Sequence, residues 1–141
     1  MNVRMSIERL VRPRTVAYAH CDLPCGVYDP AQARIEAESV KACMEKYAAS
    51  DDTDFKTRTV TIKEERADLV KHHLWVLWTD YFKPPHFEKY PELHELFNKA
   101  TKAAGGGPNG TKSSNDPATG QALLDLIAQI DKIFWETKAA S

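Results

Sequence analysis

Three potential metal ligands lie close together near the start of the chain. His20, Cys21 and Cys25 place one imidazole and two thiols within six residues. Pro24 and Gly26 flank the second cysteine and favour a tight turn, which can bring the two sulfurs to one point. A structural zinc site needs four side-chain ligands, whereas this stretch contains only three. The spacing of the cysteines also differs from the Cys-x-x-Cys of a thioredoxin-like redox pair.

Proteolysis just before His20 would add a further donor to this set. The new terminus would carry a free α-amine. This amine, the backbone nitrogen of Cys21 and two thiolates can form a planar set of four, with the imidazole along the axis. Square-planar nitrogen and sulfur ligation selects nickel(II) or copper(II). Thiolate and deprotonated amide donors also push electron density onto nickel and bring nickel(III) within reach, as one-electron chemistry requires.

The segment before His20 is interpreted as a cleavable pro-segment. Residues 1–19 carry four arginines against one glutamate. They lack the apolar core of about 7–15 residues that a secretory signal needs. The Ala17-Tyr18-Ala19 ending resembles an export cleavage site, so export is kept as an alternative location. The chain therefore divides into a basic leader, 1–19, and one domain, 20–141.

Composition narrows the class of protein further. The chain is 43% hydrophobic and 28% charged, with a formal net charge of −1. No stretch approaches the roughly 18–20 apolar residues of a membrane-spanning helix. The lack of a basic face argues against nucleic acid as a partner. Three cysteines are too few, and odd in number, for a disulfide framework. This count fits a reducing compartment, here expected to be the cytoplasm, or cysteines used as ligands.

Four amphipathic segments follow Cys21 and Cys25 and must position them. Asp29-Pro30 and Asp116-Pro117 are start signals for the first and fourth helices, and Pro84-Pro85 must end the second. The second is expected from about Asp54 or Thr59 to Phe82, and the third from about Phe87, or from Pro91, to Ala104. Apolar residues recur at spacings of three and four, namely Ala33, Ala37, Val40, Met44 and Tyr47; Val70, Leu74, Leu77 and Tyr81; Tyr90, Leu93, Phe97 and Ala100; Leu123, Ile127, Ile130 and Phe134.

Such helices with mostly short connections predict an all-α, antiparallel up-and-down four-helix bundle, with the metal-binding hook outside it. The β-branched run 56–62 has no partner strand, so we interpret it as helix. The glycine-rich stretch 105–110 predicts a flexible connection. The charged run 63–66 is interpreted as a mostly solvated helical face, and Cys43 as a buried small residue beside the first stripe.

The run from His20 to Tyr28 resembles the nickel hook of the nickel superoxide dismutases, His-Cys-x-x-Pro-Cys-Gly-x-Tyr, at every fixed position. The resemblance continues through 80–94 and 117–135, so it covers nearly all of 20–141. It implies an enzyme that disproportionates superoxide to dioxygen and hydrogen peroxide by Ni(III)/Ni(II) cycling, with one nickel ion per subunit. It also implies a homohexamer and a protease that removes the leader.

The resemblance assigns the ligands residue by residue. His20 supplies the amine and an axial imidazole, Cys21 its backbone nitrogen and thiolate, and Cys25 the second thiolate. Around them, Glu36 orients the imidazole and Arg66 belongs to the same network, where such hydrogen bonds tune a metal.

Further residues border the expected substrate path. By the same resemblance, Tyr28 and Tyr81 lie near the vacant metal face and Asp22 lines the hook. Lys83 and Lys89 are inferred, from charge and position alone, to steer anionic superoxide. The proton donor stays open between ordered water, the tyrosines and a thiolate.

Two other functions use the same residues. One is a nickel or copper carrier without turnover, and the other is a helical interaction module with a regulatory thiol pair. Residues beyond the ligands favour the enzyme, since simple binding does not need them. The remaining histidines do not predict a second metal site, because none are paired at the i, i+4 spacing; they are His72, His73, His86 and His94.

Overall fold

The computed structural model describes residues 27–140, and no strand occurs in that range. The leader and the hook from His20 to Cys25 lie outside the described residues, so the predictions made on them are not addressed by the fold. The described chain forms five α-helices and one π-helical turn, namely α1 (Ala31–Ala48), α2 (Thr53–Val76), the π turn (Leu77–Tyr81), α3 (Pro84–Lys89), α4 (Leu93–Ala103) and α5 (Pro117–Ala139).

Aspartates mark the starts of three long helices, two of them as the sequence predicts, whereas Asp52 was not identified as a start signal. The Asp29 carboxylate accepts from the Ala31 amide at 2.8 Å. Asp116 accepts from the Ala118 amide at 2.9 Å, and Asp52 caps α2 by accepting from the Phe55 amide at 2.9 Å. Each carboxylate satisfies an amide that has no partner within the first helical turn.

The expected third helix begins close to the Pro91 alternative, so the Phe87 start is wrong, and a short separate helix precedes it. Pro84 opens the short helix α3, and α4 begins only at Leu93. Tyr90 between them has φ −123° and ψ 77°, outside the helical region. A residue that precedes a proline is disfavoured in helical conformation, so Pro91 interrupts the helix at Tyr90. The prolines therefore create a short extra helix as well as ending the second one.

The four longer helices form the predicted bundle. α1 packs on α2 and α5, and α4 packs on the same two helices, so each has two neighbours around a closed ring. This order is that of an up-and-down bundle. The predicted stripes are buried except for Tyr47, Tyr81 and Tyr90, which are half-buried. The run 56–62 lies within α2. Over the range described, no helix has the length and apolar character needed to cross a bilayer.

The connection from α4 to α5 is held in place, whereas the sequence predicted a flexible one. Thr111 donates its amide to the Ala103 carbonyl at 2.7 Å, and Lys112 donates to the Gly105 carbonyl at 3.0 Å. Lys63 is 1% exposed, and its ammonium donates to the Ser114 carbonyl at 2.6 Å. The interpretation of residues 63–66 as a solvated face is therefore wrong for Lys63, because the folded-back connection covers it.

Candidate active site

Tyr28 and Tyr81 meet at one corner of the bundle, and their role beside a metal stays a prediction. Their ring centroids lie 5.7 Å apart. Tyr81 is the last residue of the π turn, which Phe82 closes by donating its amide to the Leu77 carbonyl at 3.1 Å. π-helical turns are frequent at functional sites. The turn presents the tyrosine beside the segment that leads back to the hook.

The Tyr81 ring is enclosed by other rings. Its centroid lies 4.3 Å from that of Phe134 and 4.9 Å from that of Phe82. The His86 ring stacks on it at 5.8 Å, with an interplanar angle of 18°. Tilted and stacked aromatic contacts of this kind fix the orientation of a ring.

Two residues beside Tyr81 were not identified from the sequence. The Thr137 hydroxyl lies 2.8 Å from the Tyr81 phenolic oxygen. The Lys138 ammonium lies 5.8 Å from the centre of the Tyr81 ring, within cation–π range. One signal could have indicated Thr137, since it continues the spacing of Ile130 and Phe134 along the apolar stripe of α5.

Glu36 on α1 and Arg66 on α2, which the resemblance assigns to one network around His20, form an ion pair, while their action on His20 stays a prediction. One Arg66 nitrogen lies 3.2 Å and 3.4 Å from the two Glu36 carboxylate oxygens. The arginine side chain is 43% exposed and the glutamate 16% exposed. Burial lowers the pKa of half-buried His73, and charge on His72 lowers it further. The nearby Glu36 charge raises this pKa by a smaller amount.

The two lysines proposed to steer superoxide lie at opposite ends of α3. Lys83 is exposed at its N-cap, two residues after Tyr81. Lys89 is exposed at its last residue, and its ammonium lies 5.3 Å from the Tyr90 ring centre. Their steering role stays a prediction.

The other histidines make structural contacts. His86 Nδ1 accepts from the Lys83 amide at 3.1 Å. His94 Nδ1 accepts from the Trp78 indole at 3.0 Å, and its ring stacks on Phe87 at 3.9 Å. Within residues 27–140, no group of three histidine, cysteine or acidic side chains could hold a metal ion.

The cysteine on α1 has a different character from a metal ligand. Cys43 is half-buried, less covered than the buried small residue that the sequence predicted. Burial raises the pKa of its thiol, against the lowering effect of Lys46, Arg66 and Lys63. A thiol held protonated is a poor nucleophile and a poor ligand.

The ligands predicted from the sequence, with Asp22 between them, lie outside the described residues. Their donor chemistry nevertheless fits nickel. Two thiolates from Cys21 and Cys25, the Cys21 backbone nitrogen and the amine that cleavage before His20 would free match square-planar nitrogen and sulfur ligation. The helical bundle, its tyrosine pair and the ligands that precede Tyr28 in the sequence together define a class of protein, the helical-bundle metalloproteins.

Comparison with known proteins identifies the particular family. The family model for nickel-containing superoxide dismutase matches residues 15–138. The chain belongs to the nickel-containing superoxide dismutase family. The implied class of enzyme, an oxidoreductase acting on superoxide, and its nickel cofactor are thereby confirmed, and the match favours the enzyme over a metal carrier.

Relatives support the same assignment along nearly the whole chain. The superoxide dismutase [Ni] of Streptomyces coelicolor is 66% identical over 134 residues, which are 95% of this chain and 99% of the relative. That of Streptomyces seoulensis is 67% identical with the same coverage.

Solved structures agree with the fold. A native nickel superoxide dismutase structure is 70% identical, covers 85% of this chain and 99% of its own, and has a TM-score of 0.79. An apo structure of such an enzyme is 68% identical, covers 81% of this chain and 99% of its own, and has a TM-score of 0.76.

Proposed function

We propose that residues 20–141, freed of the leader, disproportionate superoxide at a nickel site beside the Tyr28–Tyr81 corner. The His20 amine and imidazole, the Cys21 backbone nitrogen and thiolate, and the Cys25 thiolate would hold the ion. Bound nickel would supply the one-electron cycling that converts two superoxide ions and two protons into dioxygen and hydrogen peroxide. The chain's own residues would position substrate, order water and tune the ligands.

The observation that carries this placement is the contact between Tyr28 and Tyr81, with ring centroids 5.7 Å apart. Cys25 precedes Tyr28 by three residues, and each residue spans at most about 3.6 Å. Chain connectivity therefore ties the proposed hook to this corner. The two phenols narrow the approach and offer hydroxyl groups that can hold water, while Asp22 would line the hook.

Glu36 and Arg66 would act on the site through the His20 imidazole. The Glu36 carboxylate is mostly buried and already paired with Arg66 at 3.2 Å. A carboxylate whose position is fixed by an ion pair can orient an imidazole that donates to it, and such hydrogen bonds tune a metal centre. Exposed Lys83 and Lys89 would raise the local concentration of the anionic substrate.

The assembly and location are proposed with the function. We infer a homohexamer in the cytoplasm, activated by a protease that removes residues 1–19. Within the described chain, Trp75 and Trp135 are 45% and 49% exposed. Large exposed aromatic side chains are typical of surfaces that contact another subunit.

The test compares full-length protein with protein that begins at His20, each supplied with nickel. We expect nickel binding and superoxide consumption only in the processed form, because the leader leaves His20 without a free amine. Cys21→Ser and Cys25→Ser should each abolish both, whereas Cys43→Ser should keep both. Metal analysis and a superoxide decay assay provide the measurements.

Three results would contradict the proposal. They are full activity with the leader attached, nickel binding that survives both hook substitutions, and superoxide decay at its background rate in processed protein that carries nickel. The last of these would instead support a carrier.

A further inference from the structure

A buried threonine near the end of α5 contacts the Tyr81 hydroxyl. Thr137 is 4% exposed. Its oxygen lies 2.7 Å from the Phe134 carbonyl oxygen and 2.8 Å from the Tyr81 phenolic oxygen. A carbonyl oxygen can only accept, and a threonine hydroxyl has one proton. Thr137 therefore donates to Phe134, and Tyr81 must donate to Thr137.

The phenol has little other freedom. The rings of Phe134, Phe82 and His86 enclose the Tyr81 ring at centroid distances of 4.3, 4.9 and 5.8 Å. These contacts fix the ring plane, so rotation of the O–H bond is the degree of freedom that remains. A donated hydrogen bond to Thr137 removes it.

We propose that Thr137 is a positioning residue for the dismutation reaction, which keeps the Tyr81 proton directed into the bundle. This proposal rests on the proposed function, in which Tyr81 borders the metal face. The phenolic oxygen then presents lone pairs to that face, so Tyr81 accepts a hydrogen bond from water or from protonated product. Since its own proton is committed to Thr137, Tyr81 is not the immediate proton donor to superoxide.

The first test reads the hydrogen bond itself, without nickel or turnover. The ultraviolet resonance Raman doublet of tyrosine reports whether a phenol donates or accepts. In nickel-free processed protein, the difference spectrum between wild type and Tyr81→Phe should show a donor phenol. Thr137→Val, which keeps the side-chain shape, should abolish the donor pattern, and Thr137→Ser should restore it.

The second test reads activity per bound nickel. Loss of one neutral hydrogen bond corresponds to roughly a two- to tenfold change, so Thr137→Val should lower the rate by that factor. The same substitution should have no further effect in a Tyr81→Phe background, and Thr137→Ser should retain the rate. Thr57→Val serves as the matched control, since exposed Thr57 also bonds back to its own helix, at 2.9 Å. Thr137→Ala replaces Thr137→Val if the latter fails to fold.

Several outcomes would overturn the proposal. An acceptor pattern for Tyr81 in the wild-type difference spectrum would refute the hydrogen-bond direction. Equal losses from Thr137→Val in both backgrounds would indicate a merely structural role, and no loss in either would remove the role altogether. Failure of the proposed function is distinct, because the processed wild-type enzyme would then lack activity while the Raman result could still stand.

Discussion

At the scale of single residues, the side chains around the site gain orientation rather than stability from their partners. Arg66 is 43% exposed beside Glu36. Exposed ion pairs of this kind contribute about 0–1 kcal/mol to folding. The value of the pair therefore lies in fixing where the Glu36 carboxylate points. The same reasoning applies to the hydroxyl of Tyr81, whose bond to Thr137 sets a direction.

We expect His73 to make the stability of the bundle sensitive to acid. Burial lowers the pKa of its imidazole from the ordinary value of 6.5. As pH falls through that value, the unfolded chain binds a proton that the folded chain resists, so stability decreases. We expect His73→Gln, which does not titrate, to flatten the fall in stability between about pH 7 and about pH 5.

Urea unfolding of the nickel-free protein measures this effect without protonation of metal-bound thiolates. Exposed His72 provides the matched control, and His72→Gln should retain most of the acid dependence. An unchanged slope in His73→Gln would show that other groups cause the acid sensitivity.

At the scale of elements, glycines permit two close approaches that longer side chains would block. A Cβ on Gly120 of α5 would lie 3.0 Å from the Lys41 Cβ and 3.1 Å from the Met44 sulfur of α1. Gly110 allows the connection between α4 and α5 to fold back on itself. Its amide donates to the Gly107 carbonyl at 2.8 Å. This compact connection also supplies the oxygens that bind the Lys63 ammonium.

Gly110→Ala should destabilise the protein. The added Cβ would overlap the Gly105 carbonyl group and approach its carbon to 2.7 Å. Overpacking against backbone costs about 1–3 kcal/mol. Gly107→Ala is the matched control in the same connection, where the new Cβ would meet nothing within 4 Å, so we expect a change within about 0.5 kcal/mol.

Chemical unfolding at one fixed protein concentration measures both glycine variants. Equal effects of the two substitutions would mean that Gly110 is not constrained by the close approach to Gly105.

At the scale of the whole molecule, one subunit leaves two tryptophans partly uncovered. Trp75 on α2 and Trp135 on α5 are 45% and 49% exposed. We expect processed protein to show about six times the mass of one chain by light scattering. Trp75→Glu and Trp135→Glu should lower that mass, because each would place a charge on apolar surface that the hexamer would bury.

Gln129→Glu is the control for these charge substitutions, since Gln129 is an exposed polar residue of α5. Circular dichroism confirms that each variant stays helical. A wild-type protein that remains monomeric would contradict the hexamer, and unchanged masses in both tryptophan variants would place the contacts elsewhere.

The sequence by itself determined the features that depend on local chemistry and periodicity. The hook pattern places thiols and an imidazole within six residues, and the apolar stripes follow the helical repeat. Asp29 and Asp116 could be recognised as helix starts because side-chain capping acts over two or three residues. The bundle and the family followed from these signals.

Only the tertiary structure decided which distant residues meet. Thr137 contacts Tyr81 across a separation of 56 residues, and Lys63 meets the connection before α5 across separations of 49 to 52 residues. A lysine or threonine on a helix predicts solvent exposure until another element covers that face. Burial is a property of the packed elements. The spacing of Ile130 and Phe134 could have indicated that Thr137 is buried, but neither side-chain type nor spacing could have shown that Thr137 meets Tyr81 or that Lys63 binds the connection.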